Sequence, residues 1–181
     1  ALNFLQRLSG IATKASYYAD LLKGTKAKIT DTRKTTPCLR VLEKYAVKIG
    51  GGSNHRFNLS DGVLIKDNHI AAAGSITNAV LAARKNVPHM VKIEVETENI
   101  DQVKEALSVN ADVIMLDNMS ISEMKAAVEV INKRALVEAS GDMDEKDLLE
   151  VASTGVDIIS MGALTHAVKA FDISLKLNIS V

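Results

Sequence analysis

Short apolar runs alternate with longer amphipathic stretches along the chain, and that alternation sets the architecture. The runs are Ala27 to Thr30, Val63 to Lys66, Val91 to Glu96, Val113 to Leu116, Ala135 to Ala139 and Val156 to Met161. Between them, apolar positions at helical spacing predict helices over Pro37 to Lys48, Ile76 to Lys85, Ile100 to Leu107, Ser120 to Asn132 and Asp144 to Ser153. Thr36 before Pro37, and Ser120 followed by Glu123 as a capping box, mark two of the starts. The later strands recur about every 21 to 23 residues, the length of a βα unit. Repeated βα units joined by right-handed crossovers make a parallel sheet, either closed into a barrel or wound on both faces. No dinucleotide-type glycine fingerprint follows the first strand, which favours an α/β barrel of about six parallel strands. Residues 1 to 23 read as one long helix that Gly10 could break. Asp172 to Leu177 alternates like a strand, has no helix after it, and reads as an edge that pairs with something outside this chain.

Composition agrees. The 181 residues are 47% hydrophobic but only 3% aromatic with no Trp, so the core must be built from Val, Ile, Leu, Ala and Met, a profile of parallel strands under helices. One domain spanning 1–181 is expected. The formal charge is zero, which gives no overall field toward nucleic acid or membrane. The balance is uneven, however: Lys23 to Lys66 holds ten Lys or Arg against three acids, so an anion site belongs in the first third. The single Cys38 excludes an intrachain disulfide, is consistent with a reducing cytoplasm, and reads as a small buried residue on a helix. No apolar run reaches the roughly 18 residues of a membrane span. The chain starts inside an amphipathic pattern, without Met, and reads as a piece cut from a longer protein.

In a βα barrel the ligand meets the loops at the carboxyl ends of the strands, and here nearly every strand ends in a polar group. Arg33 and Lys34 follow the first strand and stand before a helix expected near Pro37, so an anion there would meet two cations and a helix N-terminus; a solvated basic turn is the alternative. The glycine loop Gly50 to Ser53 delivers His55 and Arg56 together, or is only a helix stop; it lacks the Gly-Lys-Ser/Thr ending of a P-loop. Lys66 follows three apolar residues on what should be a buried strand, so it needs an anion, from ligand or carboxylate. Alternation puts Lys92, Glu94 and Glu96 on the interior face, with Lys92 and Glu94 as an internal ion pair and Glu96 toward the ligand. Asp117 either joins Glu96 as a second carboxylate, able to accept from sugar hydroxyls or hold a hydrated Mg²⁺, or caps the next helix. Ser140-Gly141 and Gly162-Ala163 let backbone amides approach a phosphate, or form simple turns. His69, His89 and His166 lack metal-ligand spacing, which argues against zinc.

Seven segments in order carry a resemblance: Asp31 to Thr35, Gly50 to Arg56, Leu64 to His69, Glu94 to Glu96, Met115 to Asn118, Glu138 to Gly141 and Gly162 to His166. Together they resemble quinolinate phosphoribosyltransferase, the carboxylating nicotinate-nucleotide pyrophosphorylase family of NAD biosynthesis. The resemblance implies an open, incomplete TIM-like α/β barrel that joins quinolinate to phosphoribosyl pyrophosphate, releasing nicotinate mononucleotide, pyrophosphate and CO₂. It assigns Arg33, Lys34, His55, Arg56 and Lys66 to quinolinate and Glu96 and Asp117 to the ribose and the Mg²⁺-bound diphosphate. Ser140, Gly141, Gly162 and Ala163 fall to the 5′-phosphate, and Lys66, Glu96 and Asp117 are the candidate catalytic residues. Mg²⁺ enters with the diphosphate, without a direct protein ligand. The resemblance further implies a homodimer in which an additional amino-terminal domain of one subunit closes the barrel mouth of the other, and an Arg just upstream of Ala1. Asp142, where relatives carry Gly or Asn, is a departure beside the expected phosphate. Competing readings are a ModD-like or nicotinate-using relative and a silent phosphosugar-binding domain.

Overall fold

The computed structural model describes residues 1–178. Helix α1 (Leu2–Leu21) precedes β1 (Lys28–Thr30), α2 (Arg40–Ile49), β2 (Val63–Ile65), α3 (Asp67–Ala73), α4 (Ile76–Asn86) and β3 (Ile93–Thr97). The series continues with α5 (Ile100–Ser108), β4 (Val113–Asp117), α6 (Ile121–Ile131), β5 (Leu136–Ser140), α7 (Leu148–Ser153), β6 (Ile158–Ser160) and α8 (Ala163–His166). All strand pairs are parallel, in the order β1-β6-β5-β4-β3-β2. The expected six-stranded α/β fold and its long first helix are present, and β1 and β2 are the two open edges.

The strand face turned toward the helices is apolar, while the opposite face also carries Glu94, Glu96, Glu138 and Ser160. Ile93, Val95, Ile114, Leu116, Ala139 and Ile159 are fully buried. Against them pack Val80 from α4, Val103 and Ala106 from α5, Met124 and Ala127 from α6 and Val151 from α7. Each fully buried aliphatic side chain is worth about 1.5–3 kcal/mol. The segment after α2 fills the seam between the edges: Ser53 N–H donates to Ile29 O at 2.9 Å, Asp31 N–H to Ser53 O at 3.3 Å, and Arg56 Nη1 to Gly62 O at 2.7 Å.

Several sequence expectations need correction. Helix α1 is unbroken at Gly10; that position is glycine because Lys169 O would lie 2.5 Å from any Cβ there. Helix α2 starts at Arg40, not Pro37, and Cys38 is exposed at φ 63°, in a turn rather than buried on a helix. Helix α7 starts at Leu148, where Asp147 caps it by accepting from the Leu149 and Glu150 amides. The seven-residue α3 was missed because its alanines lie on the surface and leave no apolar stripe. Asp172 to Leu177 is not a strand; the tail lies along α1, with Phe171 N–H on Gln6 O at 3.1 Å and Gln6 Nε2 on Ile173 O at 3.1 Å. The capping box of α6 is present as read, with Ser120 and Glu123 bonded reciprocally.

Candidate active site

All eleven residues singled out above line one cavity of about 700 Å³ at the carboxyl ends of the six strands. Arg33 and Lys34 reach it from the β1 turn, His55 and Arg56 from the seam, Lys66 from β2, Glu96 from β3 and Asp117 from β4. Ser140 and Gly141 close the β5 side, and Gly162 and Ala163 the β6 side.

The cationic half is held by groups that pattern reading passed over. Asp31, at 0% exposure, takes the Lys44 ammonium at 2.5 Å, the Asn54 amide at 2.6 Å and the His55 N–H at 2.9 Å. Lys44 also donates to His55 O at 3.0 Å. One buried carboxylate thus ties the seam to the end of β1. Arg40 donates to Thr35 Oγ1 and Arg33 O, fixing the β1 turn from the first residue of α2. Helix α2 starts seven residues after Arg33 rather than near Pro37, and the helix start that lies beside Lys34 is that of α8, at Gly162. The solvated-turn alternative fails for Arg33, whose Nε is buried without a hydrogen-bond partner. Burial and the neighbouring Arg33 charge push the Arg56 pKa down, against the pull of Glu94. Two guanidiniums this close favour an anion between them.

Lys66 is corrected in burial but not in pairing. Its side chain is 46% exposed at the mouth, and it pairs with Glu96 on the neighbouring strand. That pair is where the cationic and acidic halves meet. Asp117 is not a helix cap; Ser120 has that role, and Asp117 accepts from Asn118 Nδ2 at 2.9 Å inside the cavity. The Lys92–Glu94 ion pair does not form. Lys92 is exposed, and Glu94 instead meets His55 Nε2 at 3.0 Å. Glu138, also missed, is buried in the floor with its Oε1 3.6 Å from the same nitrogen. The clue available was alternation on β5, which puts Glu138 on the same face as Ser140.

On the opposite side, Gly141 adopts φ +91° against Asn118, and Asn118 N–H donates to Ser140 O at 3.0 Å. Amides of α8 from Leu164 onward are engaged with Met161 O and Gly162 O, which leaves those of Gly162 and Ala163 at the cavity wall. Asp142 lines the rim and is exposed, so its charge is solvated. Glu96 and Asp117 offer oxygen donors suited to a hydrated hard cation. Neither belongs to the one grouping of three His, Cys, Asp or Glu ligand atoms found among the described residues, which is His55, Glu94 and Glu138.

A parallel α/β sheet with a cavity lined by cations, carboxylates and glycine turns at the carboxyl ends of its strands defines the class of open α/β barrels with a polar site at that face. The chain belongs to the family described as quinolinate phosphoribosyl transferase, C-terminal domain, which it matches over residues 11–176. It is 50% identical over 179 residues to a Bacillus subtilis (strain 168) protein named as a probable nicotinate-nucleotide pyrophosphorylase (carboxylating), covering 99% of this chain and 62% of that one. It is 45% identical to the Mycobacterium leprae (strain TN) nicotinate-nucleotide pyrophosphorylase (carboxylating), covering 97% of this chain and 63% of the relative. The crystal structure of nicotinate-nucleotide pyrophosphorylase from Ehrlichia chaffeensis superposes with a TM-score of 0.90 at 52% identity, over 94% of this chain and 62% of that one. The chain therefore spans about 62% of the length of such relatives.

Proposed function

We propose that the chain forms the barrel part of an enzyme that transfers the phosphoribosyl group of phosphoribosyl pyrophosphate to quinolinate, with decarboxylation to nicotinate mononucleotide. The observation that carries this reading is the Lys66–Glu96 pair, which joins a pocket of cations to a carboxylate wall within one cavity. Arg33, Lys34, His55, Arg56 and Lys66 would hold the two ring carboxylates, with Arg able to grip a carboxylate in bidentate fashion. Glu96 and Asp117 would face the ribose, and Ser140, Gly141, Gly162 and Ala163 its 5′-phosphate.

The pyridine nitrogen attacks the anomeric carbon as the bond to diphosphate breaks, its electron pair leaving with the diphosphate. Glu96 and Asp117 offset the positive charge developing on the sugar. Bound with the diphosphate, Mg²⁺ would neutralise the leaving group; no side chain is assigned as its direct ligand. The ring then carries a positive charge that stabilises the electron pair left when CO₂ departs, and a proton replaces the carboxylate. Lys66 would leave Glu96 as it takes a substrate carboxylate, which couples occupancy of the two halves.

A nicotinate-using relative would need fewer cations, and a silent phosphosugar binder would need no cation cluster. The exposed apolar residues Val41, Leu42, Tyr45 and Ile49 on the outer side of α2 support a dimer. Among the described residues no helix is long and apolar enough to cross a membrane. The family's further domain, and the Arg expected with it, lead us to expect little or no turnover from these 181 residues alone; product formation at rates of a full-length relative would refute that. Calorimetry tests substrate choice: quinolinate should bind well ahead of nicotinate, and Arg33→Ala should weaken it about ten- to a hundredfold, the loss of one charge-assisted contact. Binding of a ribose phosphate with indifference to quinolinate would establish the silent binder instead.

A further inference from the structure

Beneath the cations lies a group of acids that the proposed chemistry does not use. Glu94 on β3 and Glu138 on β5 project into the barrel interior at 7% and 1% exposure. Both face His55 Nε2, at 3.0 Å and 3.6 Å, and the candidate ligand atoms of the three residues lie within 4.8 Å of one another. Glu94 Oε1 and Glu138 Oε1 are each buried without a hydrogen-bond partner. On its other side the imidazole accepts the Arg56 N–H at Nδ1, 2.9 Å away.

These contacts fix where protons sit. An Nδ1 that accepts carries a lone pair, so Nε2 carries the hydrogen and gives it to Glu94. His55 is then neutral and cannot balance two ionised carboxylates. Both charges would lie buried at the floor of a pocket meant for anions, with two oxygens lacking any donor. One proton on the pair removes a charge and supplies the missing donor.

We propose that Glu94 and Glu138 share a single proton, resident mainly on Glu138, and that this proton holds His55 in the Nε2–H form and keeps the floor beneath Arg33 and Arg56 at one negative charge. Glu138 is on this reading a positioning residue. The same geometry argues against a metal ion at these three residues, since an ion on Nε2 would require Nδ1–H, which the Arg56 N–H opposes. The groups facing the pair are His55 from the seam, Arg56 beyond Glu94, Arg33 beside Arg56, Lys44 of α2 behind His55, and the uncharged Ser160 of β6. Burial first, and then the Glu94 charge, push the Glu138 pKa up to about 8. Burial opposes charge on His55, but the Glu94 hydrogen bond and both carboxylate charges raise its pKa; a proton on Glu138 removes one of those charges.

The consequence for ligand binding rests on the quinolinate reading. As pH rises through about 8 the shared proton is lost, the floor gains a second negative charge, and a dianion should bind progressively more weakly, by up to about tenfold per pH unit. Two measurements on this chain decide the matter. Carbon-13 carboxyl and nitrogen-15 imidazole NMR across pH 5 to 9 should show one Glu titrating far above the usual carboxylate range and His55 Nδ1 unprotonated at pH 7. An imidazolium signal at pH 7, two carboxyls that titrate normally, or a His55 signal that moves with added Zn²⁺ and returns with chelator would each overturn the proposal. Calorimetry at pH 7 and pH 9 should show quinolinate binding weakened by up to about tenfold in the unmodified chain, whereas Glu138→Gln, whatever its affinity at pH 7, should lose that dependence; a Glu138→Gln profile that still falls would overturn it too. Absence of quinolinate binding already at pH 7 would instead sink the substrate reading, and the NMR result would still decide the proton.

Discussion

Gly141→Ala tests the phosphate side of the cavity without reference to any substrate. The backbone there has φ +91°, and a Cβ would lie 2.1 Å from Asn118 Oδ1, 2.5 Å from its Cγ and 2.7 Å from its backbone N. The Asn118 side chain can swing away, but its backbone cannot move without disturbing the Asn118 N–H to Ser140 O bond that ends the β4–β5 ladder. Positive φ costs an alanine about 1–2 kcal/mol. Forced repacking adds about 1–3 kcal/mol, and loss of the hydrogen bond about 1 kcal/mol. Gly24→Ala is the matched control: φ is +85°, but nothing lies within 4 Å of its Cβ, so it bears only the backbone cost. The difference, about 2 kcal/mol or more, should lower the Gly141→Ala melting temperature by roughly 4–8 °C below that of Gly24→Ala. Adding Asn118→Gly should recover part of the loss, because two of the three close atoms vanish. Equal melting temperatures for the two alanine variants would show that the β4 and β5 ends do not meet as described.

Lys44→Ala should cost about 3–5 kcal/mol in urea unfolding, since Asp31 would be left as a fully buried charge without its cation. A Lys44→Met, Asp31→Asn pair should cost less than Lys44→Ala alone, and a loss below about 1 kcal/mol for the alanine variant would mean that the pair does not anchor the seam. Glu138 also leaves a signature in stability. Its folded pKa lies above the unfolded value of 4.5, so the native state binds the extra proton and stability falls as pH rises from about 4.5 to about 8. Glu138→Gln should flatten that decline in urea midpoints measured across the same window, and an unchanged slope would place the titration elsewhere.

The sheet was legible because its strands are period-two or wholly apolar runs spaced by one βα unit, and because helices α4 to α7 carry apolar stripes toward the sheet. Ile76, Asn99 and Ser120 fall where local signals put them. Errors cluster where local pattern and tertiary contact disagree. Helix α2 buries Glu43 and Lys44 beside Ala46 and Val47 and exposes Val41, Tyr45 and Ile49, so its larger apolar side chains point away from the core. Glu43 is satisfied by Arg7 of α1 and the Thr36 amide, and Lys44 by Asp31, partners that only folding brings near. The positions that line the cavity were readable because strand ends converge in any such barrel. The residues behind them, Asp31, Lys44, Glu94 and Glu138, were not, because their roles depend on partners 13 to 83 positions away.

The cationic cluster belongs to the closure of the sheet more than to any stretch of sequence. Arg33 follows β1 and Lys66 follows β2, the two outer strands of a six-stranded order. In a flat sheet with about 4.8 Å between strands they would stand about 24 Å apart, too far to share one small dianion. They share a cavity because the sheet curls and the segment Ser53 to Arg56 fills the remaining gap, hydrogen-bonded to β1 on one side and to Gly62, just before β2, on the other. That seam carries His55 and Arg56 itself, so the element that closes the barrel also supplies the middle of the anion site. Around the rim the order then runs from cations at β1 through backbone amides at β6 and β5 to carboxylates at β4 and β3, and back to cations at β2 and the seam. A ligand that spans a phosphate, a sugar and a dicarboxylate meets these in sequence, and the seam is the one part of the ring that the strand ladder does not hold. Its stability rests on Asp31 and the partners it binds, Lys44, Asn54 and His55, which is why Lys44→Ala should loosen the Arg33 and His55 side of the cavity before the Gly141 and Gly162 side.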